Sequence, residues 1–181
     1  MKHYFYALFI IVLLLNSCKK EYNPYIIKKQ NIGLLTDSTQ VKDLKTVFAL
    51  DSVLTDKPNK FNKDNTIEIL DTQGKQLLIL TPTKGKDSTS TIQTVQITDS
   101  RFKTEKGITT LSTFKDINTN YKISSIDNLL NSVVISVNEI NASFTIDKKE
   151  LPANARFDMT LHIDASMIPD AAKIKYFMIH W

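Results

Sequence analysis

The side chains of this chain that could do chemistry are few. Cys18 is its only thiol, the histidines are His3, His162 and His180, and 19 Asp and Glu are spread along its 181 residues. Around His162 the sequence alternates from 156 to 164. As a strand it would set Phe157, Met159, Leu161 and Ile163 on one face and Asp158, Thr160, His162 and Asp164 on the other. A weak hydrolase would have to be built on Asp158, His162 and Asp164, with the imidazole as general base. A solvated strand face produces such a polar row by its period of two alone, and that is the preferred reading. His180, next to the last residue, reads as a packed or frayed strand end. Two histidines beyond the N-terminal segment and one cysteine leave only carboxylates to complete a zinc site, so neither a metal nor a cofactor is expected.

Other catalytic patterns are missing from the sequence. There is no Gly-x-Ser-x-Gly elbow, no Walker loop and no Gly-x-Gly-x-x-Gly fingerprint. Asp71-Thr72-Gln73-Gly74 resembles the aspartic protease loop only in part, because Gln73 interrupts Asp-Thr-Gly, and a hairpin turn accounts for it. A serine or threonine nucleophile needs a neighbouring base, and His162 is the candidate. The expectation is a protein that is not an enzyme.

Cys18 has a different context. Lys2 is followed by an apolar run from Tyr4 to Leu15, the layout of an export signal. That run is too short for a transmembrane helix, which needs about 20 apolar residues. It ends at Leu15-Asn16-Ser17-Cys18, which resembles the lipobox of bacterial lipoproteins, with Asn16 departing from the usual small residue. The resemblance implies cleavage after residue 17 and lipid attachment at Cys18, palmitate being a typical acyl chain. Lys19 stands where a sorting Asp would retain the protein at the inner membrane, so the implied address is the outer membrane, on its periplasmic or its surface face.

Charge narrows the partner class. The chain has 23 Lys and Arg against 19 Asp and Glu, and Lys2, Lys19, Lys20, Lys28 and Lys29 against Glu21 account for the whole excess. The remainder is neutral, whereas a nucleic-acid binder needs a basic surplus. The lysines beside Cys18 instead supply the basic patch that reinforces an acyl anchor. No nucleic acid is expected as a partner; the membrane, through the anchor, is.

Residues 18–30 read as the lipidated cysteine and a flexible basic tether, with Pro24 and no helical period. Residues 31–181 read as one globular domain without disulfides, whose stability must come from its core. Within it, Gly33-Leu34-Leu35-Thr36-Asp37-Ser38-Thr39 before Val41, Leu44 and Phe48 echoes Gly107-Ile108-Thr109-Thr110-Leu111-Ser112-Thr113 before Phe114, Ile117 and Tyr121. The echo suggests tandem helix-plus-strands units over 31–100 and 101–181. Each copy predicts a short amphipathic helix, the second opened by a Thr113–Asp116 capping box. Strands follow at 67–70, 76–81, 91–98, 133–137, 142–146, 156–164 and 173–181. The last, apolar on both sides at Tyr176, Phe177, Met178 and Ile179, is expected in the middle of a sheet with both faces covered.

The expected fold is therefore α+β, antiparallel sheet with two short helices. The segment Lys103–Ile108 with Ser112–Ile117 and Tyr121 resembles helix units of small, uncharacterised bacterial envelope lipoproteins. More loosely it is similar to the helix-plus-sheet repeats of the BamE and β-lactamase-inhibitor-protein type. Asp37-Ser38-Thr39, Asp51-Ser52-Val53 and Asp87-Ser88-Thr89 resemble O-glycosylation sites of exported Bacteroidetes proteins, a group the composition also resembles. These resemblances imply non-catalytic envelope work: binding or scaffolding of another envelope protein or polymer, or, as the alternative, inhibition of a hydrolase.

Overall fold

The structure, a computed structural model, describes residues 23–55, 66–85 and 87–181; Cys18 and the apolar run before it lie outside the described residues. Three short strands, β1 (Ile26–Ile27), β2 (Asn31–Ile32) and β3 (Leu35–Thr36), open the fold. A 3-10 turn at Val41–Asp43 leads into helix α1 (Leu44–Val47), and a meander of β4 (Ser52–Leu54), β5 (Ile67–Leu70), β6 (Gln76–Pro82) and β7 (Ile92–Ile97) follows. After β8 (Lys103–Thr104) and helix α2 (Phe114–Asn120) comes a second meander. It runs through β9 (Ser125–Asn128), β10 (Ser132–Val137) and β11 (Ala142–Asp147), then past helix α3 (Ala153–Arg156) to β12 (Ile174–His180). The architecture is α+β and dominated by sheet.

The two meanders join into one eight-stranded sheet, in the order β4-β5-β6-β7-β12-β11-β10-β9, while β3-β2-β1-β8 form a small second sheet. β12 is central, as expected, but among the described residues only one of its faces is covered: Phe177 and Ile179 are buried, and Tyr176 is 41 % exposed. Local chemistry makes the hairpins. The Asp71 carboxylate accepts the Gln73 and Lys75 N–H groups at 3.0 Å each, and Gly74 takes φ +78° to close the β5–β6 turn. In β10 and β11 the period of two is strict, with Val133, Ile135 and Val137 facing Ala142, Phe144 and Ile146 inside. A bulge at Leu77 turns two consecutive residues, Leu77 and Leu78, into the core.

The helices are lids on that core. α2 starts where the Thr113 N–H donates to Asp116 Oδ2 at 2.7 Å, the expected capping box, and buries Phe114 and Ile117. α1 buries Leu44. Both join the small sheet's Ile27, Ile32 and Leu35 in a single cluster with the large sheet, at whose centre the Phe144 and Phe177 rings stack 4.6 Å apart. Because Ile27 is fully buried and β1 runs parallel to β8, residues 25–30 belong to the folded domain, not to the tether assigned from sequence. Gly33, at φ +57°, is required there: a Cβ would run into the Pro24 carbonyl oxygen.

The segment 156–164 is not a strand, contrary to its alternation. α3 ends at Arg156, whose Nε donates to the Leu151 carbonyl at 2.7 Å. The Asp158 carboxylate then turns the chain by accepting the Thr160 N–H at 2.8 Å and hydroxyl at 2.7 Å. The apolar half of the pattern is split: Phe157 and Met159 are 87 % and 46 % exposed, while Leu161 is half-buried and Ile163 is buried in the core, so the four do not share one covered face.

One buried charge ties the β5–β6 turn to the connection toward β8. Asp99, whose side chain has no exposed surface, accepts Arg101 Nε at 3.0 Å, the Arg101 N–H at 2.8 Å and Lys75 Nζ at 2.8 Å. Arg101 Nη2 also reaches Asp71 Oδ2 at 2.8 Å, and its guanidinium lies 5.3 Å from the Tyr25 ring centre. Burial alone would raise the Asp99 carboxyl, but the hydrogen bonds from Arg101 and Lys75 outweigh it and hold it far below the ordinary carboxylate range.

Asp99→Asn is expected to lower stability by about 2 kcal/mol, because the buried carboxylate that accepts the charge-assisted hydrogen bonds of Arg101 and Lys75 is lost; urea unfolding measures this. An aspartate titrates at about 3.9 when unfolded and lower here. Its contribution is therefore complete above about pH 5 and falls as the pH drops through the folded value, a dependence that the Asp99→Asn variant should flatten. Gly33→Ala is expected to cost at least about 1 kcal/mol from the left-handed backbone alone, and to speed proteolysis near Pro24.

Candidate functional site

The register of the large sheet separates its faces row by row. One row, Val53–Ile69–Leu78–Ile97–Phe177–Phe144–Ile135–Ile126, crosses all eight strands and is apolar throughout. The adjacent row, one residue along, is Leu54–Glu68–Ile79–Gln96–Met178–Ser143–Ser136–Ser125. Since neighbouring residues point to opposite sides, the first row faces the core and the second faces outward. Apart from Glu68 at its β5 end, the second row is half-buried or exposed. It is flanked by Tyr176–Thr145–Val134–Asp127 on one side and Thr81–Thr94–His180 on the other.

This open face holds ordered polar groups rather than a random solvated surface. His180 Nε2 lies 2.7 Å from the Ser143 hydroxyl and its Nδ1 3.4 Å from the Thr94 hydroxyl. Burial pushes the His180 imidazole below its ordinary value, which favours the neutral ring. Lys175 Nζ donates to Asp147 Oδ2 at 3.1 Å and sits 5.6 Å from the Tyr176 ring centre. The result is a broad patch of hydroxyls with an aromatic ring, a thioether and an imidazole held in place by neighbours. Tyr and Ser supply contact area at low entropy cost in protein recognition, and Met adapts to irregular partners.

The Ser143–His180 contact has the reach of a nucleophile and base. Acyl transfer also needs N–H donors aimed at a developing oxyanion, and in these central strands the N–H groups are used by the ladder.

The residues singled out from sequence lie elsewhere. His162 Nε2 and Asp164 Oδ1 meet at 3.3 Å, but both are exposed, at 85 % and 67 %, on a shallow recess of about 240 Å³ beside β9. Asp158 is engaged by Thr160, and the nearby Ser125 hydroxyl donates to Asp127. Among the described residues no group of three metal-ligating side chains forms. The sequence reading missed His180, Ser143, Met178 and Gln96. The signal for the first and third was present as Tyr176, Met178 and His180 at spacing two, but only strand pairing brings in Ser143 and Gln96.

A second concavity, about 290 Å³ and mainly apolar, lies between α1 and the small sheet, walled by Pro24, Tyr25, Val47, Phe48 and Phe102 with Leu34 and Leu50 also lining it. Asp51 also lines it, its carboxyl raised by burial and by Asp71 against the pull of Arg101. Among the described residues no helix is long and apolar enough to cross a membrane.

No family model matches the sequence, and no curated protein is significantly similar to it. In fold the chain is similar to the crystal structure of the uncharacterized protein yfeY from Escherichia coli. That likeness covers 86 % of this chain and 99 % of the other at 16 % identity, with a TM-score of 0.52.

Proposed function

We propose that this is a lipid-anchored protein of the bacterial cell envelope, held at the outer membrane through Cys18, which binds another envelope protein through the open face of its eight-stranded sheet without catalysis. The observation that carries the binding half is the outward row from Leu54 to Ser125, continuous over eight strands and flanked by Tyr176 and His180. The anchor half is supported by the apolar run ending at Leu15-Asn16-Ser17-Cys18 and by the lysines around it. The halves 31–100 and 101–181 are read as tandem helix-plus-strands units. Their meanders, each preceded by a short helix, meet last strand to last strand at β7 and β12, which supports that reading.

Two measurements test this. Cys18→Ala is expected to abolish labelling by a clickable palmitate analogue and to move the protein from the membrane to the soluble fraction; unchanged labelling and fractionation would remove the anchor. A photo-crosslinking residue at Met178 is expected to capture a partner in intact cells, one at exposed Phe157 is not, and Tyr176→Ala should weaken binding roughly 30-fold, as for an aromatic hot spot. His162→Ala should leave capture intact. Equal capture from both positions would defeat the face assignment, and a secreted hydrolase as the captured protein would favour inhibition over scaffolding.

A further inference from the structure

The apolar cleft between α1 and the small sheet lies at the place where the chain leaves the domain toward Cys18. Pro24 and Tyr25 form one wall, and Gly33 lacks a side chain so that the Pro24 backbone can lie against it. Leu34, beside Gly33, is 58 % exposed, and Leu50, on the loop after α1, is 86 % exposed; both line the same cleft. Single exposed leucines are ordinary on protein surfaces. Two that extend a mainly apolar cleft beside the segment leading to Cys18 form an apolar rim at this end of the domain, with Asp51 and Thr46 as polar side chains of its lining.

We infer that this end rests on the lipid bilayer, with Leu34 and Leu50 immersed at the level of the acyl chains and the cleft open toward lipid. The inference rests on the anchor at Cys18 proposed above. From Cys18 to Asn23 the chain spans five residues, at most about 18 Å when fully extended, so the cleft cannot be carried far from the membrane. The opposite edge of the sheet, at β9, lies seven strand spacings from β4, about 33 Å away. Phe157 is at that far edge, where Asn128 of β9 donates to the Asp158 carbonyl at 3.0 Å. Lys19 and Lys20, within the connecting segment, add attraction to anionic headgroups. Apposition of this end leaves the open sheet face directed along or away from the membrane, free for a partner.

The test uses the full chain, purified with its anchor and reconstituted in vesicles of phosphatidylethanolamine and phosphatidylglycerol. Leu50→Cys and, separately, Phe157→Cys carry a polarity-sensitive dye; an acylated Cys18 does not react. Both should float with the vesicles. Emission from position 50 should shift to the blue and be about twofold more strongly quenched by spin-labelled lipid than emission from position 157, as expected of an interfacial site. Equal, water-like emission from both positions in protein that floats would overturn the inference while leaving the anchor intact. A blue shift that follows protein concentration without lipid quenching would assign the cleft to a second copy of the chain and overturn it equally. Failure to float, with Cys18 found free by mass spectrometry, would remove the anchor and this inference together.

Discussion

A single large sheet has two faces, and among the described residues only one of them is covered. Two short helices and a four-stranded sheet lie against the row from Val53 to Ile126, and every residue of that row is apolar. The next row, displaced by one residue, carries Gln96, Met178 and three serines. A one-residue slip of any strand would exchange the two sets, so the register that builds the core also fixes the chemistry of the open face. Stability and the make-up of the open face therefore have one cause.

The ends of the sheet are handled differently. Near β5 and β6 the core extends sideways under the small sheet, aided by the bulge that sends both Leu77 and Leu78 inward. There the buried Asp99 carboxylate gathers Arg101 and Lys75, and Arg101 in turn reaches Asp71 and the Tyr25 ring. This fixes Tyr25 and its neighbours in β1 by charge-assisted hydrogen bonds around Asp99 as well as by apolar contact. At the other end β9 is edged by the 157–164 segment through side-chain bonds from Asn128 to the Asp158 and Leu161 carbonyls. The His162 and Asp164 side chains meet on this same edge, both open to water.

Some of this was written in local sequence. The two short helices, the Thr113–Asp116 cap, the turn at Gly74 and the hairpin it closes all follow from spacing and turn chemistry acting over a few residues. The lone cysteine after an apolar run and the concentration of basic excess beside it are likewise properties of the sequence by itself. What misled was also local: the alternation at 156–164 has the period of a strand, but the Asp158–Thr160 turn decides otherwise and leaves its apolar residues split between solvent and core. Only the tertiary structure decided which strands are neighbours. It alone could set Met178 beside Gln96 and Ser143, bring Ser143 to His180, bury Asp99 and incorporate Tyr25 to Gln30 into the fold, because each of these depends on contacts between segments far apart in the chain, whose pairing is fixed by the shared core and not by any one segment's own preference.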